Sequence, residues 1–199
     1  MSQQPNIVYI FTDQQSAIAM SCAGNADLHT PNMDRLAAEG VRFENAYCAF
    51  PLCVPSRVSM LSGRMPSAHG VKGNAVEWSD EAMALTAGRL LREAGYRCAW
   101  GGKWHAGWGI ALPDPADHDF GFECISGFDD NALPGAAAEF LSQEHDRPFF
   151  LVASFDNPHN ICEHSRDQVI PWCEVPEASL ADCPNLPPNH PRQPQEPEA

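Results

Sequence analysis

Pro51-Leu-Cys-Val-Pro-Ser-Arg57, continued by Val58-Ser-Met-Leu-Ser-Gly-Arg64, is the stretch from which the rest of the chain is best read. Pro51 and Pro55 bracket a single cysteine, Cys53. Residues 56–62 read as a short helix closed by Gly63, because proline favours the first turn of a helix and glycine its end. Cys53 then stands at a helix N-terminus, where unpaired backbone N–H groups and the helix dipole favour an anion. Arg57 lies about one turn further on and can aim its guanidinium at the same place. On these residues alone two readings stay open: a nucleophile beside an anion site, or a buried and inert thiol.

Outward from this stretch, three apolar runs end in polar clusters. Ile7-Val-Tyr-Ile-Phe11 reads as a buried strand of a parallel sheet and runs into Thr12-Asp13-Gln14-Gln15. Polar groups at the C-terminal end of a buried strand lie where open α/β sheets place ligands, and Asp13 and Gln14 carry oxygen donors suited to a hard cation. Tyr96-Arg-Cys-Ala-Trp100 is the second strand and leads to Gly101-Gly-Lys-Trp-His105. If that segment is extended, Lys103 and His105 share one face, a cation beside a titratable imidazole. Pro148-Phe-Phe-Leu-Val-Ala-Ser-Phe155 is the third strand and ends at Asp156-Asn-Pro-His159.

Helices fall between the strands. Thr30–Gly40 is marked by Thr30 as N-cap, Pro31 at the first position and Gly40 at the stop, with Met33, Leu36 and Ala37 as its apolar face. Thr86–Gly95 reads as a second helix with Leu90 and Leu91 inward, and Ala136–Gln143 as a third. Val41–Tyr47 alternates like a half-buried strand. Residues 65–71 and 106–131 read as loop, with His69 an ordinary loop histidine and Asp119-Phe-Gly-Phe-Glu123 a substrate-side loop element. Strand–helix alternation makes the fold class α/β, a mainly parallel sheet flanked by helices.

Cys53-Val-Pro-Ser-Arg57 followed by Leu61-Ser-Gly-Arg64 resembles the signature of the type I, formylglycine-dependent sulfatases. Pro5-Asn before a strand ending in Thr12-Asp13, the Leu28–Leu36 segment, Gly102-Lys-Trp-His105 and Pro158-His159 are similar to that family in the same order. The resemblance implies an alkaline-phosphatase-like fold and hydrolysis of a sulfate monoester, on a small molecule or a carbohydrate. It implies that Cys53 is oxidised by a formylglycine-generating enzyme to an aldehyde whose hydrate attacks sulfur. It also implies that Asp13, Gln14 and residue 53 bind Ca²⁺ (or Mg²⁺), and that Arg57 and Lys103 stabilise charge. His159 would protonate the leaving alcohol and His105 would take the proton that expels sulfate.

The likeness covers residues 5 to about 165, the N-terminal portion of such an enzyme. Gln14 stands where the family often has Asp, and the family's later metal ligands have no counterpart here, which leaves the activity of the isolated chain open. Two other functions fit the same motifs: hydrolysis of a phosphonate or phosphate ester on this scaffold, and a non-catalytic, sulfatase-like fragment.

Composition bounds the partners. The 199 residues are 44% hydrophobic, enough for a real core. Twenty-six acidic against 12 basic residues give a net charge of −14, and Lys72 and Lys103 are the only lysines, which argues against nucleic-acid binding. No run of about 20 apolar residues crosses a membrane. No leader precedes the first strand, so a cytoplasmic chain with reduced thiols is the expectation. Eight cysteines without paired CxxC spacing, Cys162 and His164 among the candidates, do not read as a zinc site. Residues 1–170 form the expected domain. Residues 171–199, with seven prolines from Pro176 to Pro197, read as an extended or disordered tail.

Overall fold

Among the described residues four strands pair side by side, all parallel, in the order β1-β4-β2-β3. They are Ile7–Asp13 (β1), Arg97–Gly102 (β2), Glu123–Ser126 (β3) and Phe149–Pro158 (β4). The computed structural model describes residues 4–169 together with Trp172, Ser179 and Asn185. The proline-rich tail expected over 171–199 otherwise lies outside the described residues. Among the described residues six α-helices accompany the strands: Pro31–Glu39 (α1), Cys53–Ser62 (α2), Pro66–His69 (α3), Asp80–Met83 (α4), Ala87–Glu93 (α5) and Leu133–Ser142 (α6).

The described residues fall into two units. The first comprises 4–15, 45–169 and Trp172, and it holds the sheet. β4 lies between β1 and β2, with Ile7 opposite Phe150, Thr12 opposite Phe155 and Gly102 opposite Ser154. Successive side chains of a strand point to opposite faces, and the inner strands β2 and β4 are covered on both, whereas Val8, Tyr9 and Ile10 of β1, expected to be buried, are exposed. On one face Trp100, Phe150 and Val152 pack with Val54, Val58 and Leu61 of α2 and with Trp104, Phe120 and Phe122. On the other, Ala99, Phe149 and Leu151 pack with Phe140 of α6. That double burial is why β4 reads as an unbroken apolar run.

The second unit comprises residues 16–44 with Ser179 and Asn185. Here α1 begins after Thr30, with Pro31 in its first turn. The Thr30 hydroxyl does not cap the helix backbone. It pairs with Ser21, and the Asp34 carboxylate accepts from the Ser21 hydroxyl (2.8 Å) and the Cys22 amide (2.8 Å).

Several expectations are corrected. Residues 41–47 form no strand, and Val41, Phe43 and Tyr47 are exposed. Alternation supplies strand propensity, but a strand also needs a partner edge, and no described strand pairs with this one. Leu36 of α1 and Leu90 of α5 are exposed rather than inward. Residues 123–126, expected as loop, add β3 to the sheet. Phe120 and Phe122, expected beside a substrate, are buried in the core, and Asp119 pairs with Arg92 at 2.6 Å. Residues 66–69 form a helical turn, and His69 is buried rather than a loop histidine. Its Nδ1 accepts from the Val71 amide (3.1 Å), so Nε2 carries the proton and donates to the Ser59 hydroxyl (2.9 Å). Burial holds its pKa below the usual histidine range.

Candidate active site

In a parallel sheet every strand delivers its C-terminal end to the same side. β1 ends at Asp13, β2 runs on from Gly102 into Lys103, and β4 carries Ser154 and Asp156 near its end. α2 starts beside this row. It begins at Cys53, three residues earlier than the sequence reading placed it, because Pro55 falls within the first turn, where no amide hydrogen is required. Gly63, in the left-handed conformation at φ 66°, closes it as expected.

The backbone after β2 is not extended. Gly102 has φ 86° and His105 φ 40°, so Lys103 and His105 do not share a strand face as expected. Gly102 is required at its position: a Cβ there would lie 2.1 Å from the Ser154 carbonyl oxygen. This close approach lets the Lys103 amide donate to that carbonyl (2.9 Å) and sinks the lysine between β1 and β4.

Lys103, 1% exposed, is held by two carboxylates: Nζ lies 2.5 Å from Asp13 Oδ2 and 2.8 Å from Asp156 Oδ1. Burial works against its charge, but hydrogen bonds to Asp13 and Asp156 outweigh it and leave the pKa above that of an ordinary lysine. Asp13 shifts the opposite way. Burial would raise it, and the Lys103 hydrogen bond with the Arg57 and Lys103 charges brings it below the usual carboxylate range.

Arg57 is 4% exposed and acts as a clamp. Its Nη1 donates to the Lys103 carbonyl (2.8 Å), the Trp104 carbonyl (3.0 Å) and Ser154 Oγ (3.0 Å), and its Nη2 to Asp13 Oδ2 (3.1 Å). The guanidinium also sits 5.1 Å from the Phe11 ring centroid. These bonds tie α2 to the ends of β1, β2 and β4.

Cys53 is half-buried at the head of α2. A helix N-terminus favours a thiolate, but here burial and then the Asp13 carboxylate push the thiol pKa up, against Lys103 and Arg57. His105 is half-buried with Nδ1 unpaired. Burial first, and then the Lys103 and Arg57 charges, push its pKa down and keep the imidazole neutral. His159 opens a 3-10 helix, His159–Arg166, that follows β4, and its Nδ1 is 3.9 Å from Asp156 Oδ1. Gln14 is exposed with φ 64°.

The fold thus gathers Asp13, Arg57 and Lys103 beside the start of α2, with His105 and His159 near enough to act on Asp13. It adds residues that the sequence reading did not select. Asp156 bridges Lys103 and His159. Asp130 fixes that corner by accepting from the amides of Asp156 (2.9 Å) and Asn157 (2.7 Å), while Ser154 accepts from Arg57 and donates to the Lys103 carbonyl (2.6 Å). Asp156 was open to discovery by the rule that picked out Asp13, a polar group at a strand's C-terminal end; Asp130 and Ser154 carry no such signal.

A divalent metal fits these residues only in part. The Asp13 carboxylate and Gln14 carbonyl are suitable donors, but Ca²⁺ takes about six to eight oxygens. Among the described residues no three His, Cys, Asp or Glu side chains cluster as ion ligands.

Comparison with known proteins places the geometry in context. The family model described as Sulfatase matches residues 5–196. The chain is 40% identical over 117 residues to an N-acetylglucosamine-6-O-sulfatase of Bacteroides thetaiotaomicron, covering 59% of this chain and 20% of that protein. Among solved structures, a 2-O GAG sulfatase superposes with a TM-score of 0.75 at 27% identity, over 94% of this chain and 42% of that one. A second, described in complex with its substrate D-glucosamine-2-N,6-O-disulfate, gives a TM-score of 0.65 at 30% identity, over 79% and 35%. These neighbours have the alkaline-phosphatase-like fold, as does the parallel sheet described here. The chain spans from a fifth to less than half of these relatives.

Proposed function

Because the chain belongs to the Sulfatase family, we propose that it carries the nucleophile and proton-moving groups of a sulfate-monoester hydrolase, with Cys53 converted to formylglycine and a sulfated sugar as substrate class. Members of the family generally use a formylglycine and a divalent metal. The observation that carries the reading is the setting of Cys53. Cys53 is the first residue of α2, where Arg57, Asp13 and Lys103 are bonded to one another beside the strand ends; burial and then the Asp13 carboxylate raise the thiol pKa, which favours the protonated sulfur.

A formylglycine at this position supplies a hydrated aldehyde, a gem-diol nucleophile for sulfur. The chain's own residues then have separable tasks. Arg57, with its donors engaged by carbonyls, Ser154 and Asp13, fixes the head of α2 and lends positive charge rather than a free hydrogen-bonding fork. Lys103 places a second positive charge at the strand ends. His105, held neutral, is able to accept a proton. His159, with Nδ1 toward Asp156, presents its other nitrogen to the leaving oxygen as general acid. No step is assigned to a metal, because the described donors do not complete a site for one.

The test is intact-protein mass spectrometry after co-expression with a formylglycine-generating enzyme. Residue 53 is expected to have exchanged its sulfur for the aldehyde oxygen, and Cys53→Ala to show no such change. A free thiol throughout material that releases sulfate from a 6-sulfated glucosamine would overturn the reading.

A further inference from the structure

Lys103 lies between two carboxylates at the ends of β1 and β4. Its ammonium touches Asp13 Oδ2 at 2.5 Å and Asp156 Oδ1 at 2.8 Å, and Arg57 Nη2 lies 3.1 Å from the same Asp13 oxygen. All four side chains are buried or nearly so, and their charges, two negative and two positive, cancel. A buried charge is tolerated when paired and becomes costly when its partner is removed or outnumbered. A divalent ion entering beside Asp13 would meet an ammonium and a guanidinium already bound there, with the exposed Gln14 carbonyl as the neighbouring neutral donor.

We propose that Lys103 is a built-in counter-cation: it fills the inter-carboxylate position, so that this chain closes its site without a divalent metal and has no calcium-stabilised folded state of its own. Metal affinity then requires oxygen donors from additional polypeptide, which would draw Asp13 away from Lys103. The inference rests on the sulfatase reading for the expectation of a metal at this place. Its failure is distinguishable from failure of that reading, since one is read from calcium dependence and the other from the mass of residue 53.

Thermal unfolding of the 199-residue chain in chelator, in millimolar CaCl₂ and in millimolar MgCl₂ is the first arm. The melting temperature is expected to stay the same within about 1 °C, because a ligand that binds only the folded state raises it and an absent ligand site does not. A saturating rise, or cooperative melting only when calcium is present, would overturn the proposal. In the second arm Lys103→Met leaves the two carboxylates facing each other. Its melting temperature is expected to fall by roughly 10 °C, with about half of the loss recovered in millimolar CaCl₂. A destabilised Lys103→Met chain indifferent to calcium would show that the ammonium does not stand in an ion's place. Should that variant not fold in either buffer, equilibrium dialysis of the wild-type chain against calcium decides: no bound ion supports the proposal, and one bound ion per chain overturns it.

Discussion

The two outer strands of the sheet, β3 and β1, meet their surroundings in opposite ways. β3 is four residues long, and its Glu123 pairs with Arg97 of β2 at 2.6 Å, so this edge is short and charged. Natural sheets protect an edge in that manner. β1 is seven residues long, has no charge before Asp13, and leaves Val8, Tyr9 and Ile10 exposed at 44%, 38% and 60%. It has the composition of an interior parallel strand, yet among the described residues only β4 pairs with it. The candidate site lies across this asymmetry. On the β2–β4 side Lys103, Ser154 and Asp156 are buried and mutually bonded, whereas on the β1 side Gln14 is exposed. The β2–β4 side of the site is closely packed, and the β1 side is open at Gln14.

The sharpest way to break this comparison is to wedge apart the packed side. Gly102→Ala would force a side chain to φ 86° and into the Ser154 carbonyl, combining backbone strain with overpacking. We expect a loss of about 4 kcal/mol in urea unfolding. A loss below about 1 kcal/mol would mean that β2 and β4 are not locked together at their ends. Asp156→Asn comes next in size. It removes one of the two anions on the buried Lys103 and leaves Asp13 as the other, so a cost of about 2–3 kcal/mol is expected by the same measurement. A neutral effect would show that Asp13 alone balances the lysine and that Asp156 is dispensable to the corner.

The same asymmetry explains what was legible in the sequence. β2 and β4 announce themselves as apolar runs because parallel strands buried on both faces need no alternation, and β1 has the same composition although its middle is exposed. β3 escapes because Glu-Cys-Ile-Ser has neither length nor apolar continuity, and its place is set by β2 beside it. Residues 41–47 mislead for the opposite reason: the alternation is present, and among the described residues a partner strand is not. Cys53, Arg57, Lys103, His105 and His159 could be singled out through ordered motifs. Asp156 stands at a strand end as Asp13 does, but its pairing with Lys103 comes from register, Gly102 lying opposite Ser154, and Ser154 and Asp130 carry no signal of their own. His69 looked like a loop residue because nothing local forecasts that Ser59, ten positions earlier, turns toward it.

The smallest expected effect tests the open edge itself. At Ile10, most of whose side-chain surface already meets solvent, a change to Lys removes little buried apolar area and places a charge on the face that β1 leaves uncovered. Stability in urea is therefore expected to change by no more than about 0.5 kcal/mol. A lysine on an exposed strand also opposes edge-to-edge pairing, so concentration-dependent self-association, followed by sedimentation velocity, should decrease. The contrast lies one strand inward: Val152 of β4, opposite Tyr9 and fully buried, has no room for a charge, and Val152→Lys should not yield a folded chain. If Ile10→Lys instead cost several kcal/mol, the exposed face of β1 would be an interior surface of this chain, and the difference between the two edges would vanish.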